Sequence, residues 1–157
     1  MRLRRATIAD IPSIRELEQR SETAAHWSSA QYESLFAADA QTRIALVAAD
    51  ESVDTSIHGF LIARCLPEEW EIENVVVDGE HRQRGVGSSL VRELLAGACS
   101  AGVASIILEV RESNLPAVRL YESIGFKQEG RRRNYYGGPL EDALLYRFPL
   151  QTCDKIP

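Results

Sequence analysis

Apolar side chains recur along this chain with two different periods, and each change of period marks an element boundary. Residues 3–6 predict a short first strand. Ile11, Ile14 and Leu17 follow at helical spacing, with Thr7 or Asp10 as cap and Pro12 in the first turn, where a missing N–H is harmless. Ser28 and Gln31 have the spacing of a capping box and open a second short helix through Tyr32, Leu35 and Phe36. From Arg43 the pattern turns to strands. Residues 44–49 and 57–66 predict a hairpin across a polar turn, and 70–77 a third strand ending in three valines. Val86, Leu90, Leu94 and Ala98 then recur at i, i+4, with Val91 and Leu95 beside them, as one face of a longer helix that Gly102 ends. Residues 106–110 are too few and too β-branched for a helix and predict a buried strand. Asn114 caps a helix carrying Val118, Tyr121 and Ile124, which Gly125 terminates. Strands at 127–133 and 143–149 follow, joined through Gly137-Gly138-Pro139, and residues 151–157 predict a flexible tail.

The order β-α-α-β-β-β-α-β-α-β-β describes an α/β fold. It predicts a mixed, mainly antiparallel sheet of about seven strands with about four helices on both faces. At 157 residues the chain has the length of one domain, placed at residues 1–150.

Composition narrows the function classes. A net charge of −5, from 18 basic and 23 acidic residues, argues against non-specific nucleic-acid binding, which needs a positive field. The same charge suits a basic peptide or an amine, and equally simple solubility. The basic start, Met1 to Arg5, is not followed by an apolar leader, and no apolar run approaches the ~20 residues a bilayer requires. The expectation is a cytoplasmic protein without a membrane partner. Cys65, Cys99 and Cys153 are odd in number and lack C-x-x-C spacing, which suggests neither a disulfide framework nor a zinc site. Cys65 and Cys99 read as small core residues. His26, His58 and His81 show no metal spacing, and no metal is expected.

Arg82-Gln83-Arg84-Gly85-Val86-Gly87 is the most specific local signal, because it follows a strand and opens an amphipathic helix. Helix-opening amides lack intrahelical partners and lie at the positive end of the dipole, which favours an anion such as phosphate. The glycines allow close backbone approach, and Arg82 or Arg84 can add a charged contact. Neither the G-x-G-x-x-G fingerprint nor a Walker A loop is present. A glycine-rich turn that merely starts a helix fits these six residues too.

Val75-Val76-Val77-Asp78 followed by R-x-x-G-x-G resembles the acetyl-CoA signature of the GNAT superfamily of N-acetyltransferases. Leu120-Tyr121-Glu122-Ser123-Ile124-Gly125-Phe126 is similar to that family's L-Y-x-x-x-G-F helix end. The resemblance implies the GNAT fold and acetyl-CoA as co-substrate. It implies that Val75, Val76, Val77, Gln83, Arg84, Gly85, Val86, Gly87 and Ser88 hold the pantetheine and pyrophosphate, with a further contact from Asn114. It also implies that Tyr121 lies beside the thioester sulfur as general acid. By pattern alone Tyr121 is a packing tyrosine.

Acetyl transfer needs a neutral amine, and a free α-amine with a pKa of ~8 requires only a nearby carboxylate as base. Glu109 interrupts an apolar strand, where alternation puts it with Ile107 and Arg111 on one face. A salt bridge with Arg111 or a surface arginine is the alternative role. Glu71 and Glu73, on the strand entering the cofactor motif and on one side of it, are rival bases. Leu108-Glu109-Val110-Arg111-x-Ser113-Asn114 and Arg132-Arg133-Asn134-Tyr135-Tyr136 with Glu141-Asp142-Ala143 resemble the RimI-type ribosomal-protein alanine N-acetyltransferases, as does Trp27-Ser28. That resemblance implies acetylation of an N-terminal alanine of a ribosomal protein, with Glu109 as base and Trp27, Tyr135 and Tyr136 against the peptide. Tyr135 and Tyr136 read equally as an aromatic pair at a strand edge. Lysine side chains, polyamines and other small amines remain alternative acceptors, and a non-catalytic acetyl-CoA-binding module is the reading from another class. Association is expected to be monomeric, or weakly dimeric through an exposed final strand.

Overall fold

A computed structural model of the chain describes residues 1–37, 42–51 and 56–150. Its strands are β1 (Arg2–Arg5), β2 (Arg43–Ala49), β3 (Ile57–Cys65), β4 (Glu69–Val77), β5 (Ser105–Arg111), β6 (Lys127–Tyr136) and β7 (Glu141–Pro149). Its helices are α1 (Ile11–Gln19), α2 (Ser29–Ser34), α3 (Val86–Ser100) and α4 (Leu115–Ile124), with 3-10 turns at Ile8–Asp10 and Gly79–His81. The predicted element order holds. The second helix is shorter than its apolar spacing suggested, ending before Leu35, and the last hairpin is longer, with β6 reaching Tyr136. The predicted tail at 151–157 lies outside the described residues.

The strands form one sheet in the order β1-β2-β3-β4-β5-β7-β6. Only β4 and β5 are parallel. The final strand, β7, lies inside the sheet between β5 and β6, so the exposed C-terminal edge is β6. The expectation of an exposed final strand is thereby corrected: returning β7 beside β5 gives it a ladder on both sides.

Helices cover both faces. Leu90, Leu94 and Leu95 of α3 and Ile124 of α4 pack with Leu61, Ile106 and Leu108 on one face. Ile14 and Leu17 of α1 and Tyr32 of α2 pack with Val47, Phe60 and Ile62 on the other. Each large apolar side chain buried this way contributes ~1.5–3 kcal/mol. Gly59 is where the sheet leaves no room for a side chain. A Cβ there would lie 2.8 Å from the Val76 carbonyl oxygen and 3.2 Å from a Val86 methyl.

A bulge in β4 shapes the middle of the sheet. Ile62 pairs with Asn74 and Ala63 with Ile72, leaving Glu73 as the extra residue. Trp70 and Ile72 therefore face α3 and α4, whereas Val76 joins the α1–α2 core. Pairing with β5 runs only from Glu69↔Ser105 to Ile72↔Leu108. Beyond the bulge the two parallel strands have no ladder between them.

Candidate active site

The opening between β4 and β5 is where the predicted chemistry collects. After Ile72, β4 stays paired to β3, and after Leu108, β5 stays paired to β7. The facing backbone groups of residues 74–77 are thus left for a ligand. The side chain of Val76 is buried in the α1–α2 core, so this residue can offer only its backbone. Val75 and Val77 are half-buried.

The glycine loop closes the same end. Gly85 is the N-cap of α3 with φ 82°, has no side-chain cap, and a Cβ on it would meet nothing within 4 Å. Gln83 is also left-handed, at φ 59°. Gln83, Arg84 and Gly85 are exposed, Gly87 and Ser88 half-buried, and Val86 turns its side chain into the core. The uncapped first amides and the bare glycine backbone fit a phosphate. A Cβ on Gly87 would lie 3.1 Å from a Leu120 methyl, so glycine also sets the α3–α4 approach. Arg82 turns back, its Nε donating to the Val77 carbonyl at 3.3 Å. Asn114 spends its side chain as the cap of α4, accepting from the Ala117 N–H at 3.3 Å.

The three carboxylates proposed as bases differ in what holds them. Glu73 is gripped twice by Arg43, at 2.7 and 3.1 Å. Glu71 is hydrogen-bonded by Arg64 from the adjacent strand. Among the described residues Glu109 pairs with one cation, the half-exposed Arg132, at 3.2 Å. Arg111, the partner that alternation suggested, is committed to Glu141 at 3.0 Å and lies 4.2 Å from the Tyr136 ring centroid.

Tyr121 enters from α4 with 6% exposure, edge-on to Phe126 at 5.6 Å. Among the described residues its hydroxyl has no hydrogen-bond partner, whereas Tyr32 donates to Glu18 and Tyr146 to Glu122. Burial first, and then neighbouring Tyr136, push the Tyr121 phenol above its ordinary value. Burial and the Glu109 carboxylate do the same to Tyr136. Glu109, Tyr136 and Tyr121 are therefore electrostatic neighbours, brought together from three elements.

Tyr135 and Tyr136 meet edge-to-face at 5.1 Å. They follow a register shift in β6 where Asn134 has φ 52° and its N–H donates to Asp142 at 2.9 Å. Arg131, bonded to the other Asp142 oxygen at 2.8 Å, pins the same kink. Trp27 stands apart on the α1–α2 face, against Tyr32 at 5.6 Å and under the Arg43 guanidinium at 5.4 Å. Among the described residues no ring contact joins it to Tyr135 or Tyr136.

Two supporting residues escaped the sequence reading: buried Glu18 and Asn74 hold the segment before α2. Arg132 and Glu141, quoted there only as parts of a motif, bind Glu109 and the Ser113 hydroxyl. A carboxylate inside an amphipathic helix pattern was the one visible signal, at Glu18. His81, next to the loop, stacks on His58 at 3.8 Å and bonds Asp78 at 2.9 Å. Cys99 is disulfide-bonded, where its place in an apolar segment had suggested a small core residue. Cys65 is a free, half-buried thiol that burial pushes up. A surface cavity of about 810 Å³ beside Phe36, Trp70 and Ser100 lies at the opposite end of α3 from the glycine loop. The described residues include no group of three or more metal-ligating side chains and no helix long and apolar enough to cross a membrane.

Comparison with known proteins identifies the family and the fold. The family model of the acetyltransferase (GNAT) family matches residues 11–126. The [ribosomal protein bS18]-alanine N-acetyltransferase of Escherichia coli K12 is 33% identical over 143 residues, covering 90% of this chain and 92% of that protein. A crystal structure of the E. coli ribosomal-protein-S18-alanine N-acetyltransferase superposes with a TM-score of 0.82 at 28% identity, over 96% of this chain and 94% of that one. Arabidopsis thaliana NAA60 in complex with acetyl-CoA shares the fold, with a TM-score of 0.85 at 18% identity over 96% of this chain and 99% of that one.

Proposed function

This chain belongs to the acetyltransferase (GNAT) family, and we propose that it acetylates the N-terminal alanine α-amine of a ribosomal protein. The activity class, N-acetyltransferase, goes with the family. The acceptor rests on the E. coli relative and on the aromatic hairpin beside Glu109. We place the reaction in the cytoplasm, within one domain spanning residues 1–150.

The carrying observation is the unequal holding of the three carboxylates. Glu71 is tied to Arg64 of β3 and Glu73 to Arg43 of β2, while Glu109 sits where β4 and β5 part and, among the described residues, pairs with the exposed Arg132 alone. Glu109 accepts a proton from the incoming ammonium. The neutral nitrogen then attacks the thioester carbonyl carbon, which acetyl-CoA supplies when bound. Backbone N–H groups near the end of Val75–Val77 meet the developing oxyanion, where fixed donors do most good. As the C–S bond breaks, the Tyr121 hydroxyl protonates the sulfur, and the nitrogen's second proton restores the phenol. The balance is ammonium plus thioester giving amide, thiol and one proton. Gln83 to Ser88 hold the pyrophosphate, and Tyr135, Tyr136 and Trp27 pack the peptide.

The test is mass spectrometry after incubation with acetyl-CoA and a panel of acceptors: alanine-initiated basic peptides, N-terminally blocked peptides with an internal lysine, and free spermidine. Acetyl on the alanine α-amine alone is expected. Acetyl on lysine or spermidine instead discards the acceptor but keeps the enzyme. Tight acetyl-CoA binding without turnover on any acceptor leaves a binding module.

A further inference from the structure

We propose that Arg132 is a placeholder cation for Glu109, neutralising the base until an acceptor arrives and then surrendering it to the acceptor's α-ammonium. The inference rests on the assignment of Glu109 above and adds a residue that controls access to it.

Three observations carry it. Glu109 is 20% exposed and its ion pair with Arg132, at 3.2 Å, joins it to a side chain that is itself 55% exposed. Such a pair is easily broken, because water screens it and the long side chain regains freedom. Arg111, on the same face of β5, cannot substitute, being held by Glu141 and by the Tyr136 ring. The Tyr135 ring already flanks Arg132, its centroid 5.3 Å from the guanidinium carbon, so the cation keeps an aromatic contact when it gives up the carboxylate.

The chemistry gives this exchange a direction. The acceptor arrives as an ammonium ion and leaves as a neutral amide. Only the substrate has a charge with which to compete for Glu109. Once that charge is gone, Arg132 returns to the carboxylate and the product keeps no claim on it. Arg132 thereby weakens substrate binding without affecting product binding, and it keeps the base from standing as an uncompensated charge between turnovers.

Calorimetric titration of an alanine-initiated peptide, and of its N-acetylated form, into the wild type and Arg132→Gln tests this without relying on turnover. Arg132→Gln is expected to tighten the free peptide roughly two- to fivefold, the range an exposed ion pair supports, and to leave the acetylated peptide unchanged. Steady-state kinetics should show the same fall in peptide KM with no change in KM for acetyl-CoA. Arg132→Lys should restore the wild-type affinity. In a Glu109→Gln background the Arg132→Gln effect should vanish. A free-peptide affinity that weakens or stays the same in Arg132→Gln overturns the proposal, as does equal tightening of both peptides. Failure of the underlying assignment looks different: Glu109→Gln would keep full turnover, or the wild type would bind no peptide at all.

Discussion

One carboxylate oxygen of Glu18 accepts both the Trp27 backbone N–H, at 2.8 Å, and the Tyr32 hydroxyl, at 2.6 Å. The Asn74 side-chain amide approaches the same oxygen at 3.5 Å, from the residue that follows the bulge in β4. Glu18 is 3% exposed, so a buried acid on α1 fixes the segment carrying Trp27 to β4, the strand that parts from β5. Glu18→Ala should strand these donors and lower stability by about 2–4 kcal/mol. In the residual folded enzyme the peptide KM should rise while KM for acetyl-CoA holds. Denaturant melts and two-substrate kinetics would show both effects, and Glu18→Gln should be milder.

Glu109→Gln keeps the shape of the side chain and removes its basicity. The expected loss in kcat is roughly 10²–10⁴-fold, the usual worth of a positioned base. Acetyl-CoA affinity measured by calorimetry should be unchanged, since the glycine loop is built from other elements. Full turnover in this variant would move the role to another group.

Tyr121→Phe deletes a hydroxyl that has no hydrogen-bond partner among the described residues while keeping the ring against Phe126. Stability should stay within about 1 kcal/mol of the parent, because no hydrogen bond is lost. Turnover should fall on the order of 10²-fold if the phenol protonates the leaving thiolate. Burial and Tyr136 raise this phenol, so its proton persists further into alkaline pH than that of an ordinary tyrosine. The pH–rate profile should accordingly show no loss from Tyr121 ionisation up to about pH 10.

Asp10 gives the fold a pH dependence of its own. Burial alone would raise its carboxyl, but hydrogen bonds from Arg4 and from the Thr7 backbone and hydroxyl outweigh that and hold it below the usual carboxylate range. With the folded value depressed, the stabilisation is present above the unfolded value, about 3.9, and is lost as pH falls through the folded one. Asp10→Asn should cost roughly 3 kcal/mol near neutral pH, because a buried pair loses one charge. The difference from wild type should shrink in melts taken below about pH 4.

Much of this protein was legible locally. The capping box at Ser28 and Gln31, the i, i+4 stripe from Val86 to Ala98 and the left-handed Gly125 all form as their residue types require. The glycine loop was equally plain, because glycines at the N-cap and in the first turn of a helix that follows a strand are a local instruction. Glu109 stood out as an acid in an apolar strand. Less was visible where the backbone departs from regularity. The bulge at Glu73 reverses which face the rest of β4 presents, and strict alternation contains no sign of it. The β6 kink at Asn134, which aims Tyr135 and Tyr136, depends on Asp142 from the opposite strand.

The sequence by itself determined the elements, their order and the two signatures that identify the family, because periodicity, capping and turn chemistry act over a few residues. Tertiary structure decided which charges meet. With 18 basic and 23 acidic residues, many pairings of Glu71, Glu73 and Glu109 are compatible with the chain. Strand register chose Arg64, Arg43 and Arg132 for them, and sent Arg111 to Glu141 instead. Ion pairing is short-ranged in space and indifferent to separation along the chain, so the lightly held Glu109 emerged only once β5 had parted from β4 and β6 had folded back beside β7.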